Sequence, residues 1–166
     1  MSKRLLNAFF FFLENLSAGV WVGALVTFGF AVARPVFRGI PSVTTAGGIT
    51  AQVLQSINTL ETGAAILMVA AALVFLVQAD QRTPVRLGKT ALVIMMVAVF
   101  YYYGTVIMDR MEHLRLVEIR DFDHLDAATA AFREEFDQLH RLYTRLAQAN
   151  LWMGLGFLFL SAFEKK

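Results

Sequence analysis

From Asp126 to Phe163 the chain passes, without a proline, from a charged amphipathic segment, DAATAAFREEFDQLHRLYTRLAQAN, into an apolar one, LWMGLGFLFLSAF. Unbroken helical periodicity across that change predicts one helix whose first half stands in water or at a membrane surface and whose second half lies in lipid. The rest of the chain has to supply partners for both halves. Its composition agrees with such a helix: of 166 residues, 57% are hydrophobic and 15 are Phe, with a mean hydropathy of +0.57, as in membrane proteins. The absence of Cys excludes disulfides, thiolate metal sites and cysteine nucleophiles. A net charge of +2 leaves no nucleic-acid footprint.

Four spans are predicted, at residues 5–33, 52–79, 89–109 and 146–163 of one domain. In the first, Lys3 and Arg4 precede a Phe-rich run, and Ala31-Val32-Ala33 imitates a cleavage site. The apolar stretch is too long for a signal peptide and is interrupted by Glu14 and Asn15, so it reads as a retained span. Gly19 and Gly23 form a GxxxG around Trp21, a face on which another helix can pack closely. Arg34-Pro35 is expected to end the helix, because Pro disfavours helix at the residue before it, and RPVFRGIPSVTTAGG reads as a connection.

The second span follows a polar helical start carrying Gln52, Gln55, Asn58 and Glu61, and the third ends in Tyr101-Tyr102-Tyr103. Helical periodicity continues to about Arg120, DFDHLD makes a turn, and Asp126 is placed to cap the last helix. Residues 109–145 then form an extramembrane hairpin. The expected fold is all-α: an integral membrane four-helix bundle, with helices 3 and 4 extended beyond the bilayer as an antiparallel pair. Lys3, Arg4, Arg82, Arg86, Lys89, Lys165 and Lys166 lie on the side of the termini, against Arg34 and Arg38 in the first connection. The positive-inside rule therefore puts both termini in the cytoplasm of a multi-pass protein, in the plasma (inner) membrane if the cell is bacterial. The hairpin, with six Arg and nine acidic residues, opposes this bias only weakly.

Ionisable groups inside a span are costly and point to function. Glu14 and Glu61 are the two here, separated along the membrane normal by roughly 17 Å of helix rise, so they are not a catalytic pair. Glu61, Asn58, Thr62, a tyrosine of the 101–103 run (Tyr102 as the representative) and Asn150 are expected to gather in the outer half, with Thr27 within reach. Glu14 belongs to the same class of ligand or ion candidates. These residues make either a polar cavity for a solute, proton or headgroup, or ordinary interhelical hydrogen bonds worth about 0.6 kcal/mol per pair.

If the turn is centred near Asp123, residues pair across the hairpin with numbers summing to about 247. His140 then faces the region of Asp109, and His113 faces Glu134 and Glu135, while Phe132, Phe136, Leu139 and Tyr143 share a helical face. With arginines interleaved and no tight ligand spacing, this reads as an ion-paired hairpin interface, and no metal site is assigned. No span has a His in its apolar core, and no phosphate loop, nucleophile elbow or zincin motif occurs.

Trp21-Val22-Gly23, Phe28, Ala33-Arg34-Pro35-Val36-Phe37, then Pro41 and Ala46-Gly47, resemble the opening of the transmembrane protein 205-like family, and Phe132 through Leu139-His140 resembles its F-x-x-L-H lead-in to the last span. That family's pattern puts a Ser three residues and an Asn seven residues after the His, where this chain has Tyr143 and Ala147, the nearest amide being Asn150. The resemblance implies four helices in a membrane, a domain of unknown function, and no established reaction.

The first functional expectation is a non-enzymatic membrane protein that binds or assembles, as a homo-oligomer or with a membrane-protein partner, or serves trafficking. The alternative is a small solute, proton or metal transporter using the cluster around Glu61. The third is a redox protein holding haem or quinone. No catalytic residue, resident cofactor or nucleic-acid partner is expected; the lipid bilayer is the partner common to all three.

Overall fold

A computed structural model describes residues 2–78, 80 and 82–164. The described residues form an all-helical protein: α1, Lys3–Gly39; α2, Val43–Val77; α3, Pro84–Ile119; and α4, Ala130–Ala162. The first three are long and apolar enough to cross a membrane. α4 carries its charge in its first half, as its sequence requires. Ala79, placed at the end of the second span, and Lys165 and Lys166, counted in the charge bias, lie outside the described residues.

Local chemistry accounts for the starts. Ser2, Ser42 and Thr83 each accept the amide three residues on, at 3.3, 3.1 and 3.2 Å, and Pro84 occupies the first turn of α3, where no amide donor is needed. Ahead of α4, Asp126 accepts the Thr129 amide at 2.8 Å while the Thr129 hydroxyl accepts the Asp126 amide at 3.2 Å. This reciprocal pair closes a turn ahead of the helix, but regular winding begins only at Ala130, so the residue at the cap position of α4 is Thr129 and not Asp126 as expected.

The expected break at Arg34-Pro35 is not there. α1 runs on to Gly39, leaving three residues, Ile40 to Ser42, to connect it to α2. Phe28–Ala33 winds as a π-helix immediately before the proline. Widening the turn there re-routes the backbone bonds that Pro35 cannot complete, so the helix survives. Two further wide turns, Tyr102–Ile107 and Leu114–Ile119, interrupt α3. Gly104 sits in the first of these, where a Cβ would meet the Phe100 ring at 2.9 Å.

α3 stops at Arg120, whose φ of 57° and ψ of −44° centre a tight γ-turn closed by the Asp121 amide on the Ile119 carbonyl at 2.6 Å. A backbone of this hand is strained for any residue with a Cβ.

α1 packs on α2 and α4, and α3 packs on α4 and, less extensively, on α2, so α1 and α3 face each other across the core. The start of α1 and the end of α4 lie at the same end of the assembly: Gln78 donates to Asn7 at 2.9 Å, and Glu164 reaches the start of α3. A row of edge-to-face rings, Trp21, Phe100, Tyr103 and Tyr143, stitches α1, α3 and α4 at centroid distances of 5.4, 5.5 and 5.1 Å. Such pairs contribute about 0.5–1.5 kcal/mol each beyond area burial. α1 and α4 approach closely at Gly154, where a Cβ would stand 2.7 Å from Val22 Cγ2.

The packing role expected for Gly19 and Gly23 is not used within the chain. Both face outward, with nothing within 4 Å of a Cβ built on either, because Ala18 and Trp21 take the inward face of α1.

Candidate functional site

Two polar clusters lie inside the helix assembly, and their chemistry is opposite. The first is centred on Glu61 of α2, which has no solvent exposure. Tyr103 donates its hydroxyl to Glu61 Oε1 at 2.8 Å, and Asn150 Nδ2 donates to the Met96 carbonyl at 3.1 Å and lies 3.4 Å from the Tyr103 hydroxyl. The Trp21 indole stands beside the carboxylate without its Nε1 closing a hydrogen bond. Glu61 Oε2, Asn150 Oδ1 and the Tyr143 hydroxyl are likewise buried without a partner. Native interiors leave few such atoms, and four of them lie around this one carboxylate. No basic side chain forms an ion pair with Glu61 among the described residues.

The geometry brings Glu61 and Asn150 together, as read from the sequence, but through Tyr103. Tyr102, the representative of the tyrosine run, is the wrong neighbour: it is exposed, and so is Tyr101, because one residue turns a helix by about 100°. Asn58 sits at the edge of the cluster, donating to the Gly104 carbonyl at 3.3 Å with its own Oδ1 unpaired. Thr62 bonds back to the Asn58 carbonyl, and Thr27 is exposed.

Glu14 belongs to the second cluster, at the end holding the start of α1 and the end of α4. Its Oε1 accepts from Arg86 at 2.9 Å and also pairs with Lys89, both from the first turns of α3. Glu164, just past α4, pairs with Arg86 and, at 2.7 Å, with Lys89. Arg86 Cζ lies 3.5 Å from the centroid of the Phe75 ring, and Lys89 Nζ lies 4.6 Å from that of Phe157. By sequence alone, Arg86 and Lys89 read as loop and interface charges. The available signal was charge balance: a lone carboxylate in one span and two cations, three residues apart on one helical face, in another.

At the opposite end, Asp123 crosses from the α3–α4 connection to the start of α2. It accepts from the Ser42 hydroxyl at 2.6 Å and from the Val43 and Thr44 amides at 2.6 and 3.3 Å. Asp121 adds the Thr44 hydroxyl at 3.1 Å. The Ser42 hydroxyl and then the Val43 amide hold the Asp123 carboxyl down at about 2. Nothing in the sequence announces a pairing across 80 residues.

In the hairpin, Arg110 grips Glu135 through two bonds of 2.7 and 2.8 Å, close to the expected register. His113 pairs with Glu118 at 3.3 Å instead of reaching Glu134 or Glu135, and His140 stacks on Phe136. Asp109 forms no ion pair among the described residues, and Phe132 is half-buried. Phe136 also meets Phe122 edge-on at 5.0 Å, and Tyr143 is buried in the ring row, so much of this apolar face is covered from within the chain. No group of three His, Asp or Glu side chains suited to a metal comes together among the described residues.

Comparison with protein-family models, with curated proteins and with solved structures finds no match to this chain.

Proposed function

We propose that this is a four-span membrane protein that takes up and releases a proton or small cation at Glu61, and that this exchange is coupled to movement of a small solute or ion across the bilayer. The single observation that carries the reading is the contrast between its two buried carboxylates. Glu14 is held between Arg86 and Lys89, whereas Glu61 has, among the described residues, one neutral hydroxyl donor, no cation and an unpaired Oε2. Burying an uncompensated charge costs several kcal/mol, so the site favours whatever supplies the missing positive charge. Three helices long enough to span, together with the apolar second half of α4, support the multi-pass arrangement. The basic residues at the end of the chain termini support a cytoplasmic placement for it.

The test is flux in sealed liposomes under an imposed pH or cation gradient. Glu61→Gln should abolish the protein-dependent component while leaving the melting temperature close to the parent's. Flux equal to the parent's would end this reading.

A second reading, assembly with another copy, draws on the open Gly19 and Gly23 face of α1. Crosslinking in lipid between cysteines introduced at Val20 tests it, and an absence of dimer at physiological protein-to-lipid ratios argues against it.

A further inference from the structure

The geometry points to a phosphate-binding seat formed by Arg86 and Lys89, now filled by the chain's own Glu164. Both cations are almost wholly buried, with side-chain exposures of 6% and 2%, beside the rings of Phe75 and Phe157. Two carboxylates balance them, and these differ in how they are held. Glu14 is fixed within α1 by regular helix on both sides. Glu164 lies two residues beyond the last residue of α4, tied by its amide to the Ser161 carbonyl at 3.3 Å, and its side chain can leave by rotamer change with the backbone in place.

When Glu164 swings out, Arg86, Lys89 and Glu14 carry a net charge of +1 in a low-dielectric recess. The exposed groups are one guanidinium, with its fork of donors, and one ammonium. That combination matches the oxygens of a phosphate mono- or diester better than a single carboxylate does. Arg86 and Lys89 stand in the first two turns of α3, where the partial positive charge of the helix N-terminus adds to theirs. It lies at the end where Lys3, Arg4 and Arg82 also gather, the level at which phospholipid headgroups would stand around a spanning chain. The occupant is therefore a phosphate group, from a lipid headgroup or from a soluble phosphate, exchanging with Glu164. This inference stands apart from the proton or cation site at Glu61.

The experiment uses the full chain in a maltoside micelle, which carries no phosphate, and compares the parent with Glu164→Gln. One arm titrates inorganic phosphate and follows the melting temperature. The other adds phosphatidic acid or phosphatidylglycerol and counts bound lipid by native mass spectrometry. Removing a tethered competitor should tighten binding on the order of tenfold. A gain in the lipid arm alone identifies a headgroup seat, and a gain in the inorganic phosphate arm identifies a soluble occupant. If Glu164→Gln binds neither more tightly than the parent, the quartet is only a staple and the inference fails. It fails equally if the gain persists undiminished in the Lys89→Gln/Glu164→Gln double variant.

Discussion

Tyr103 donates its hydroxyl to Glu61 across 2.8 Å, joining α3 to α2 at a point with no access to water. Removing that donor leaves Glu61 without its one side-chain hydrogen bond. Tyr103→Phe should therefore cost about 1–2 kcal/mol, read as an earlier unfolding midpoint in sodium dodecyl sulfate titration. Tyr102→Phe, at an exposed position, should leave the midpoint where it is.

Glu14 answers two buried cations at once. Replacing it with Gln leaves Arg86 and Lys89 sharing Glu164 alone, and unbalanced buried charge of this kind typically costs about 3–5 kcal/mol. The expected result is a large fall in melting temperature in detergent. A second substitution, Lys89→Met, should restore much of the loss, because it removes the orphaned charge. If the single and double variants melt together, the cluster is not balanced as described.

Close approach at Gly154 makes a sharp comparison with the open glycines. Gly154→Ala places a methyl group 2.7 Å from Val22 Cγ2, and a β-branched side chain on a helix has little freedom to move aside. Overpacking of this kind costs about 1–3 kcal/mol. Gly23→Ala meets nothing within 4 Å, and helix propensity favours Ala, so the isolated chain should be unchanged or slightly more stable. Thermal melts of the two variants side by side check both signs.

The Asp123 clasp on α2 should respond to acid. Its carboxyl is held at about 2, below the ordinary value near 3.9 that the undocked chain would show. A group depressed on folding contributes its full stability above the undocked value and loses it as pH falls through the docked one. The protection of the Val43 and Thr44 amides against hydrogen exchange, corrected for intrinsic rates, should therefore decline from about pH 4 to about pH 2. Asp121, whose carboxyl is also held down, chiefly by the Asp123 amide and then by His124, contributes to the same window. Asp123→Ala should lower protection already at neutral pH and flatten its decline toward acid.

Much of the helical order was legible because hydrophobic runs and turn residues are local signals: the extent of α3 past its apolar part and the turn at Asp126 follow from them, although the cap itself falls three residues later, at Thr129. Pairing numbers near 247 agree with the structure too, with Tyr103 against Tyr143, Met96 against Asn150 and Arg110 against Glu135. What stayed hidden was helix phase. Three consecutive tyrosines point in three directions, and the wide turn beginning at Tyr102 shifts the phase again. The continuation through Pro35 was hidden for the same reason, since a π-helical turn has no composition of its own. The partners of Glu14 and Asp123 were hidden by distance along the chain, 72 residues to Arg86 and 81 to Ser42.

Up to the wide turn at Leu114–Ile119, the one at Tyr102–Ile107 makes α3 two rods, the inner one presenting Phe100 to the ring row and the outer one carrying buried Met111 and the Arg110 that grips Glu135. A π-type turn accommodates one residue more than regular winding would hold. Were the same residues wound regularly, the outer rod would rotate by about 100°. The Arg110–Glu135 grip would then point the wrong way. Loss of one residue inside the turn has the opposite effect, because regular winding absorbs it and both rods stay aimed as they are. The turn is thus a spare link, the place where α3 tolerates a change of length that would misalign everything beyond it if made in regular helix.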